Sequence, residues 1–206
     1  MELLKKLCEA PGISGYENQV TDIIKEELKN VCDEVEIDRL GNVIGLKKAS
    51  DKEGDSLPKK VMLAAHMDQI GFLVKSIDKN GFIRFAVVGG FDPKTLVAQR
   101  VIIHGKEKVV GVIGSKPIHV MEEEDKKRAP LMKEFFIDAG LEKSEVEALI
   151  QPGDAIIFDQ NFIQMNDKVV TSLALDNRVG VYVLLEAVKR VKNHQVDIYA
   201  VATSQE

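Results

Sequence analysis

The sequence predicts an α/β fold in which a partial parallel sheet, flanked by helices, is interrupted by a β-rich segment. Helical periodicity alternates with short apolar runs near both ends of the chain, at residues 61–65 and 196–202, as expected of parallel strands covered on both faces. From about Gly71 to Asp167 the pattern changes to short β-like segments punctuated by glycine. Hydrophobic residues make up 45% of the 206, enough for one large core or for a core with a satellite domain. The boundaries read as residues 1–69 for the first part of the α/β domain, 70–167 for the β-rich insertion and 168–206 for the α/β domain continued.

In chain order, Leu3, Leu4, Leu7 and Cys8 share a helical face, and Ala10-Pro11-Gly12 ends that helix because proline cannot continue the hydrogen-bond ladder. Residues 11–17 are a turn. Val20, Ile23, Ile24 and Leu28 then repeat at helical spacing as far as Asn30. Strands at 35–38 and 42–46 alternate around Leu40-Gly41, a tight reversal, and a polar loop at 51–56 precedes the apolar run 61–65. In the insertion, residues 72–77 and 82–88 flank the hairpin signal Asp78-Lys79-Asn80-Gly81, and strands at 101–104 and 109–113 follow. Residues 121–128 form a charge cluster of both signs, which reads as a solvated loop or helix start. A helix over 131–138 and a strand over 155–158 complete the insertion. A strand at 169–173, a helix at 178–191 and a buried strand at 196–202 then restore the parallel α/β pattern. The chain stops at Glu206 directly after that strand, which suggests a chain missing its C-terminal half.

Composition narrows the function. With 28 Lys and Arg against 33 Asp and Glu, the net charge of −5 leaves no basic excess for a phosphate backbone, so nucleic acid is not an expected partner. No apolar run approaches the roughly 20 residues of a membrane-spanning helix, and the N-terminus lacks an export signal, so a cytoplasmic location is expected. Two cysteines, Cys8 and Cys32, lack the number and spacing of a disulfide framework or zinc knuckle and read as reduced, structural thiols.

Three candidate sites share a position: His66-Met67-Asp68 follows the 61–65 strand, Asp176-Asn177 opens a helix, and Glu206 follows the last strand. In open α/β sheets, ligands gather beyond the carboxyl ends of the strands, so these side chains can meet. Each has an ordinary reading when taken alone. His66 can be a buried histidine bonded to a carbonyl, Asp176 a helix cap, and Glu206 a solvated terminal carboxylate. Together, one imidazole and several carboxylates match the donor set of zinc, cobalt or manganese hydrolases. His104 and His194 have no partner at ligand spacing and read as structural, while the loop carrying His119 could reach a site. Gly89-Gly90 reads as a turn, and no Gly-x-Ser-x-Gly elbow occurs.

Several ordered motifs resemble the glutamyl-aminopeptidase and tetrahedral-aminopeptidase family of dinuclear metallopeptidases, some of whose members have been labelled endoglucanases. They are Ala10-Pro11-Gly12-Ile13-Ser14-Gly15-Tyr16-Glu17, Ala65-His66-Met67-Asp68-Gln69-Ile70-Gly71-Phe72, Val88-Gly89-Gly90, Gly111-Val112-Ile113-Gly114-Ser115-Lys116-Pro117 and Ala174-Leu175-Asp176-Asn177-Arg178-Val179-Gly180. The resemblance implies a metallopeptidase catalytic domain interrupted by a barrel-like dimerisation domain, and a homo-oligomer ranging from a dimer to a dodecamer. It implies two divalent metal ions, zinc or cobalt, with His66 a ligand of one, Asp176 the bridging ligand, Asp68 the carboxylate orienting His66, and Glu206 the general base. The family's second glutamate and its downstream Asp and His ligands are not in this sequence. The expected function is therefore removal of N-terminal residues from short peptides, by a protein of which this chain is an N-terminal fragment with an incomplete site and little or no activity. Two other functions stay open: a glycosidase using Asp176 and Glu206 as paired carboxylates, and a non-catalytic fragment that self-associates or binds a partner.

Overall fold

The computed structural model describes residues 1–51, 58–124, 128 and 130–206. Most of the expected polar loop at 51–56, and residues 125–127 of the charge cluster, therefore lie outside the described residues. The chain divides into two compact units, Met1–Gln69 with Asn161–Glu206, and Ile70–Gln160.

Helix α1 (Glu2–Glu9) buries Leu4, Leu7 and Cys8 and stops where Ala10 turns extended ahead of Pro11. After the 11–17 turn, α2 (Asn18–Lys29) buries Val20, Ile24 and Leu28 at the spacing of one helical face. Strands β1 (Glu34–Ile37) and β2 (Val43–Lys47) pair antiparallel, with Ile37 opposite Val43. Their turn is fixed by Asp38, whose carboxylate accepts from the amides of Leu40 and Asn42 and from the Asn42 side chain, at 2.9, 3.0 and 2.7 Å. Those bonds, led by the one from the Asn42 side chain, hold the carboxyl below its ordinary pKa. Strand β3 (Lys59–His66) follows.

At Gly45 the contact between α2 and β2 leaves no room for a side chain. A Cβ there would stand 2.9 Å from Cys32 Sγ and 3.2 Å from the Leu28 methyls. Gly45→Val is expected to lower the unfolding free energy by about 1–3 kcal/mol through overpacking, read as a drop in the urea midpoint at unchanged m-value.

The second unit is a closed barrel of antiparallel pairs, in the order β4-β5-β8-β7-β6-β9. Its strands are β4 (Gly71–Ile77), β5 (Ile83–Val88), β6 (Arg100–His104), β7 (Lys108–Gly114), β8 (Phe136–Asp138) and β9 (Ala155–Phe158). Alternation is clearest in β7, where Val109, Gly111 and Ile113 are buried while the residues between them face out. Phe72 stacks on Phe91 at 4.5 Å and meets Phe85 and Phe158 edge-on, filling the interior with rings.

The helix expected over 131–138 is absent. A 3-10 turn, Met132–Glu134, leads into β8, whose Ile137 lies opposite Ile83 of β5 and Ile113 of β7. The segment thereby closes the barrel, and pairing on both sides overrides local helical tendency. A helix the sequence reading did not include, α3 (Lys143–Leu149), follows, with Glu145 Oε2 accepting from the Glu142 amide at 2.9 Å.

The chain then returns to the first unit through β10 (Ile163–Asn166), β11 (Val169–Thr171), α4 (Leu175–Arg190) and β12 (Val196–Thr203). The large sheet runs β1-β2-β12-β3. Strand β12 is parallel to β3, from Val196 opposite Lys59 to Thr203 opposite His66, and antiparallel to β2. The sheet is thus mixed rather than parallel, because the tight β1–β2 hairpin reverses direction and lays β2 against β12.

Two further expectations need correction. The 169–173 segment is no strand of this sheet: β11 pairs with β10 in a separate ribbon, turned at Asn166, whose Oδ1 accepts from the Lys168 amide at 2.9 Å. The 61–65 run is not covered on both faces, since Val61 is 43% and Met62 68% exposed on β3, which ends the sheet. The core gathers Ile24, Leu28, Val43, Leu185, Val188 and Ala200, binding α2 and α4 to the sheet.

Candidate active site

The parallel register of β3 and β12 creates the site. Because Thr203 lies opposite His66, residues 67–69 and 204–206 leave the sheet side by side. The Met67 amide donates to Thr203 O at 2.8 Å, and the Gln69 amide to Gly12 O at 2.9 Å, so the β3 exit is held from two sides.

Asp176 arrives from a third element. Regular helical geometry is broken at Asp176 and Asn177, whose shared peptide bond is cis. It resumes at Arg178, with Asn177 Oδ1 accepting from the Gly180 amide at 3.2 Å in the manner of an N-cap. Asn177, not Asp176, therefore caps the regular helix, and the Asp176 carboxylate is free to face His66.

All four expected site residues come together. His66 Nδ1 is 3.2 Å from Asp68 Oδ1, while His66 Nε2 is 3.2 Å from Asp176 Oδ1 and 4.0 Å from Glu206 Oε1. Asp68 is buried, its side chain 6% exposed, and accepts from Ser14 Oγ on Oδ2 and from the Glu206 amide on Oδ1 at 3.2 Å. The Asp176 and Glu206 side chains are open to solvent, at 94% and 77%. In the tautomer with its proton on Nδ1, toward Asp68, the Nε2 lone pair would face two carboxylates.

Such an arrangement of lone pairs and anions suits a cation. An imidazole nitrogen and carboxylate oxygens are donors that zinc and similar ions accept. Yet among the described residues no group of three or more His, Cys, Asp or Glu is disposed to hold a metal ion. The donors fit a metal in kind, and in number they fall short of a closed structural site.

Four residues that the sequence reading did not single out support this cluster: Ser14, Glu17, Arg178 and Ser204. Arg178 is fully buried. Its Nε donates to Met67 O at 2.9 Å, its Nη1 to Leu7 O at 2.5 Å and to Ala10 O, and its Nη2 to Gly12 O at 3.4 Å. Burial pulls its pKa down to about 10, against the opposing pull of Cys8, Asp68 and Glu17. Glycine at position 12 makes room for this fork, since a Cβ there would stand 2.7 Å from Arg178 Nη2 and would push the guanidinium aside.

The remaining histidines lie on other segments of the chain. His194 Nδ1 lies 3.3 Å from Ser50 Oγ, and His104 lies in the barrel, where burial, with Lys108 adding to it, pushes its pKa down. His119 belongs to a 3-10 turn of the barrel unit. Both cysteines are free. Among the described residues no helix is long and apolar enough to cross a membrane.

Imidazole and carboxylates at adjacent strand ends, on an α/β unit accompanied by a closed barrel, define a protein with a candidate hydrolytic metal centre. The chain belongs to the M42 glutamyl aminopeptidase family, which matches residues 41–206. It is 38% identical over 210 residues to the lysyl aminopeptidase of Pyrococcus furiosus, an alignment covering 100% of this chain and 59% of that protein. Among solved structures, an aminopeptidase from the archaeon Desulfurococcus kamchatkensis superposes with a TM-score of 0.90 at 40% identity, covering 100% of this chain and 55% of the other. The TET1 peptidase of Pyrococcus horikoshii, described as assembling into a tetrahedron or a large octahedral shell, gives 0.84 at 35% identity, covering 100% and 61%. The chain thus spans less than two thirds of the length of each.

Proposed function

We propose that this chain is the N-terminal portion of a metal-dependent aminopeptidase that removes N-terminal residues from short peptides in the cytoplasm. The observation that carries the reading is the convergence of His66, Asp68, Asp176 and Glu206 where β3, β12 and α4 meet. His66 Nε2 and Asp176 Oδ1 would hold divalent zinc or cobalt, with Asp176 open enough to serve two ions at once. Bound there, such ions supply a polarised scissile carbonyl and a water of lowered pKa. Asp68 keeps the His66 ring oriented by holding the proton on Nδ1. Glu206, whose Oε1 lies 4.0 Å from His66 Nε2, would take the proton from the attacking water. The remaining ligands of two complete metal sites would come from sequence outside this chain. The barrel unit, as an insertion into the catalytic domain, would serve dimerisation and, through dimers, a larger homo-oligomer.

With zinc or cobalt added, the 206-residue chain is expected to turn over a chromogenic aminoacyl substrate at least ~100-fold more slowly than a full-length M42 relative. Turnover equal to that of the relative would overturn the reading of an incomplete site. Hydrolysis of a glycan that persists in chelator would overturn the metallopeptidase reading itself.

A further inference from the structure

The turn at residues 11–17 touches every segment that delivers a candidate active-site group. Gly12 O accepts from the Gln69 amide at the β3 exit and from Arg178 of α4. Ser14 Oγ donates to Asp68 Oδ2. Glu17 Oε1 accepts from Ser204 Oγ at 2.8 Å, just past the end of β12.

Ser204 has both of its donors engaged, since its amide reaches Asn42 Oδ1 at 2.9 Å. Two residues later the Glu206 amide is tied to Asp68 Oδ1. Two lines of hydrogen bonds therefore run from Glu206 back to the same turn, one through Ser204 and Glu17, the other through Asp68 and Ser14, while the Ser204 amide is tied besides to Asn42 at the start of β2.

Glu17 is an unusual choice for an interior position. It is 7% exposed and Ser204 8%, so a carboxylate has been taken out of water, with the buried Arg178 guanidinium as its charged neighbour and the Ser204 hydroxyl as its hydrogen-bond donor. That desolvation is unfavourable, and the attraction of Arg178 offsets it. What the carboxylate offers is acceptor-only chemistry: it cannot donate, so the Ser204 hydroxyl must point its proton at Glu17 and has a single orientation.

We propose that Glu17 is a positioning residue for Glu206: through Ser204 it fixes the β12 exit, as Ser14 fixes Asp68, so that the turn at 11–17 braces the carboxylates of the site. The inference rests on Glu206 being the general base, and the residue acts through Ser204 without touching the reacting atoms.

Amide hydrogen exchange on the 206-residue chain tests it without relying on turnover. The wild type is compared with Glu17→Ala, Glu17→Gln and Ser204→Ala, with Val201, inside the β12 ladder, as the internal reference. Glu17→Ala is expected to speed exchange of the Glu206 amide about tenfold, the weight of one lost hydrogen bond, while Val201 is unchanged. Glu17→Gln, whose amide oxygen still accepts, should restore most of the protection. Ser204→Ala should match Glu17→Ala, and the double variant should add nothing further.

Wild-type exchange at Glu206 in Glu17→Ala, no recovery in Glu17→Gln, or additive effects in the double variant would each overturn the brace. If Glu17→Ala also exposes Val201, Ser204→Ala decides the matter, because it removes a single hydroxyl. Loss of Val201 protection in both would make Glu17 a stability residue only and overturn the proposal. An unchanged Glu206 amide leaves the aminopeptidase reading standing, whereas a chain that binds no metal defeats that reading and leaves the exchange result intact.

Discussion

Arg178→Met is expected to lower the unfolding free energy of the chain by about 3–5 kcal/mol, one of the largest losses available from a single substitution. The side chain is fully buried and spreads its donors over four backbone carbonyls, those of Leu7, Ala10, Gly12 and Met67. Methionine fills a similar volume and removes the cost of burying a charge, but it takes this donor from the Leu7, Ala10 and Met67 carbonyls, at about 1–3 kcal/mol for each one that stays dry, while Gly12 O keeps the Gln69 amide. The carbonyls belong to the end of α1, the following turn and the β3 exit, so relaxation toward water would pull apart the segments beneath His66 and Asp68. Arg178→Lys should recover only a fraction, because one ammonium cannot span what a planar fork does. Urea unfolding of the three proteins measures this, and a loss below about 1 kcal/mol in Arg178→Met would show that packing, rather than the fork, holds the turn.

What can be read from the sequence is local. Periodicity locates α1, α2, α4 and β12 because each buries one face at its own spacing, and the position of His66 and Glu206 just past apolar runs announces that they can meet. The mixed sheet is not legible, because the direction of β2 against β12 depends on which strands pair and not on any pattern within either. Nor is β8, whose three residues are a strand only because β5 and β7 stand on either side of them. The supporting residues are hidden for the same reason. Glu17 meets Ser204 across 187 positions and Arg178 meets Leu7 across 171, and nothing near either residue marks the partner. A charged residue directly after Asp176-Asn177 looks like helix surface, yet among the described residues it is the largest fully buried side chain. The motifs taken whole do carry this information, since the 11–17 turn and the 174–180 segment are the two sequences that Arg178 ties together.

His66→Ala should abolish measurable binding of cobalt by the chain, whereas Asp68→Asn should weaken it by about 10–100-fold. The difference follows from where each group stands. His66 supplies the one nitrogen donor of the cluster, 3.2 Å from Asp176 Oδ1, and without it two solvent-open carboxylates face a metal that water satisfies nearly as well. Asp68 lies behind the ring on the Nδ1 side, buried, and never faces the open side of the cluster. In the proposed site its carboxylate would hold the proton on Nδ1, so that Nε2 would present a lone pair. An asparagine in its place can present its amide nitrogen to the ring, which favours the tautomer with the proton on Nε2, the atom that must bind. It also weakens the bonds from Ser14 and the Glu206 amide, both of which rest on the same carboxylate. Cobalt absorption in the visible range reads affinity directly and needs no turnover. Equal loss in the two variants would place Asp68 among the ligands, while full affinity in His66→Ala would remove the imidazole from the metal site and, with it, the arrangement on which the aminopeptidase reading stands.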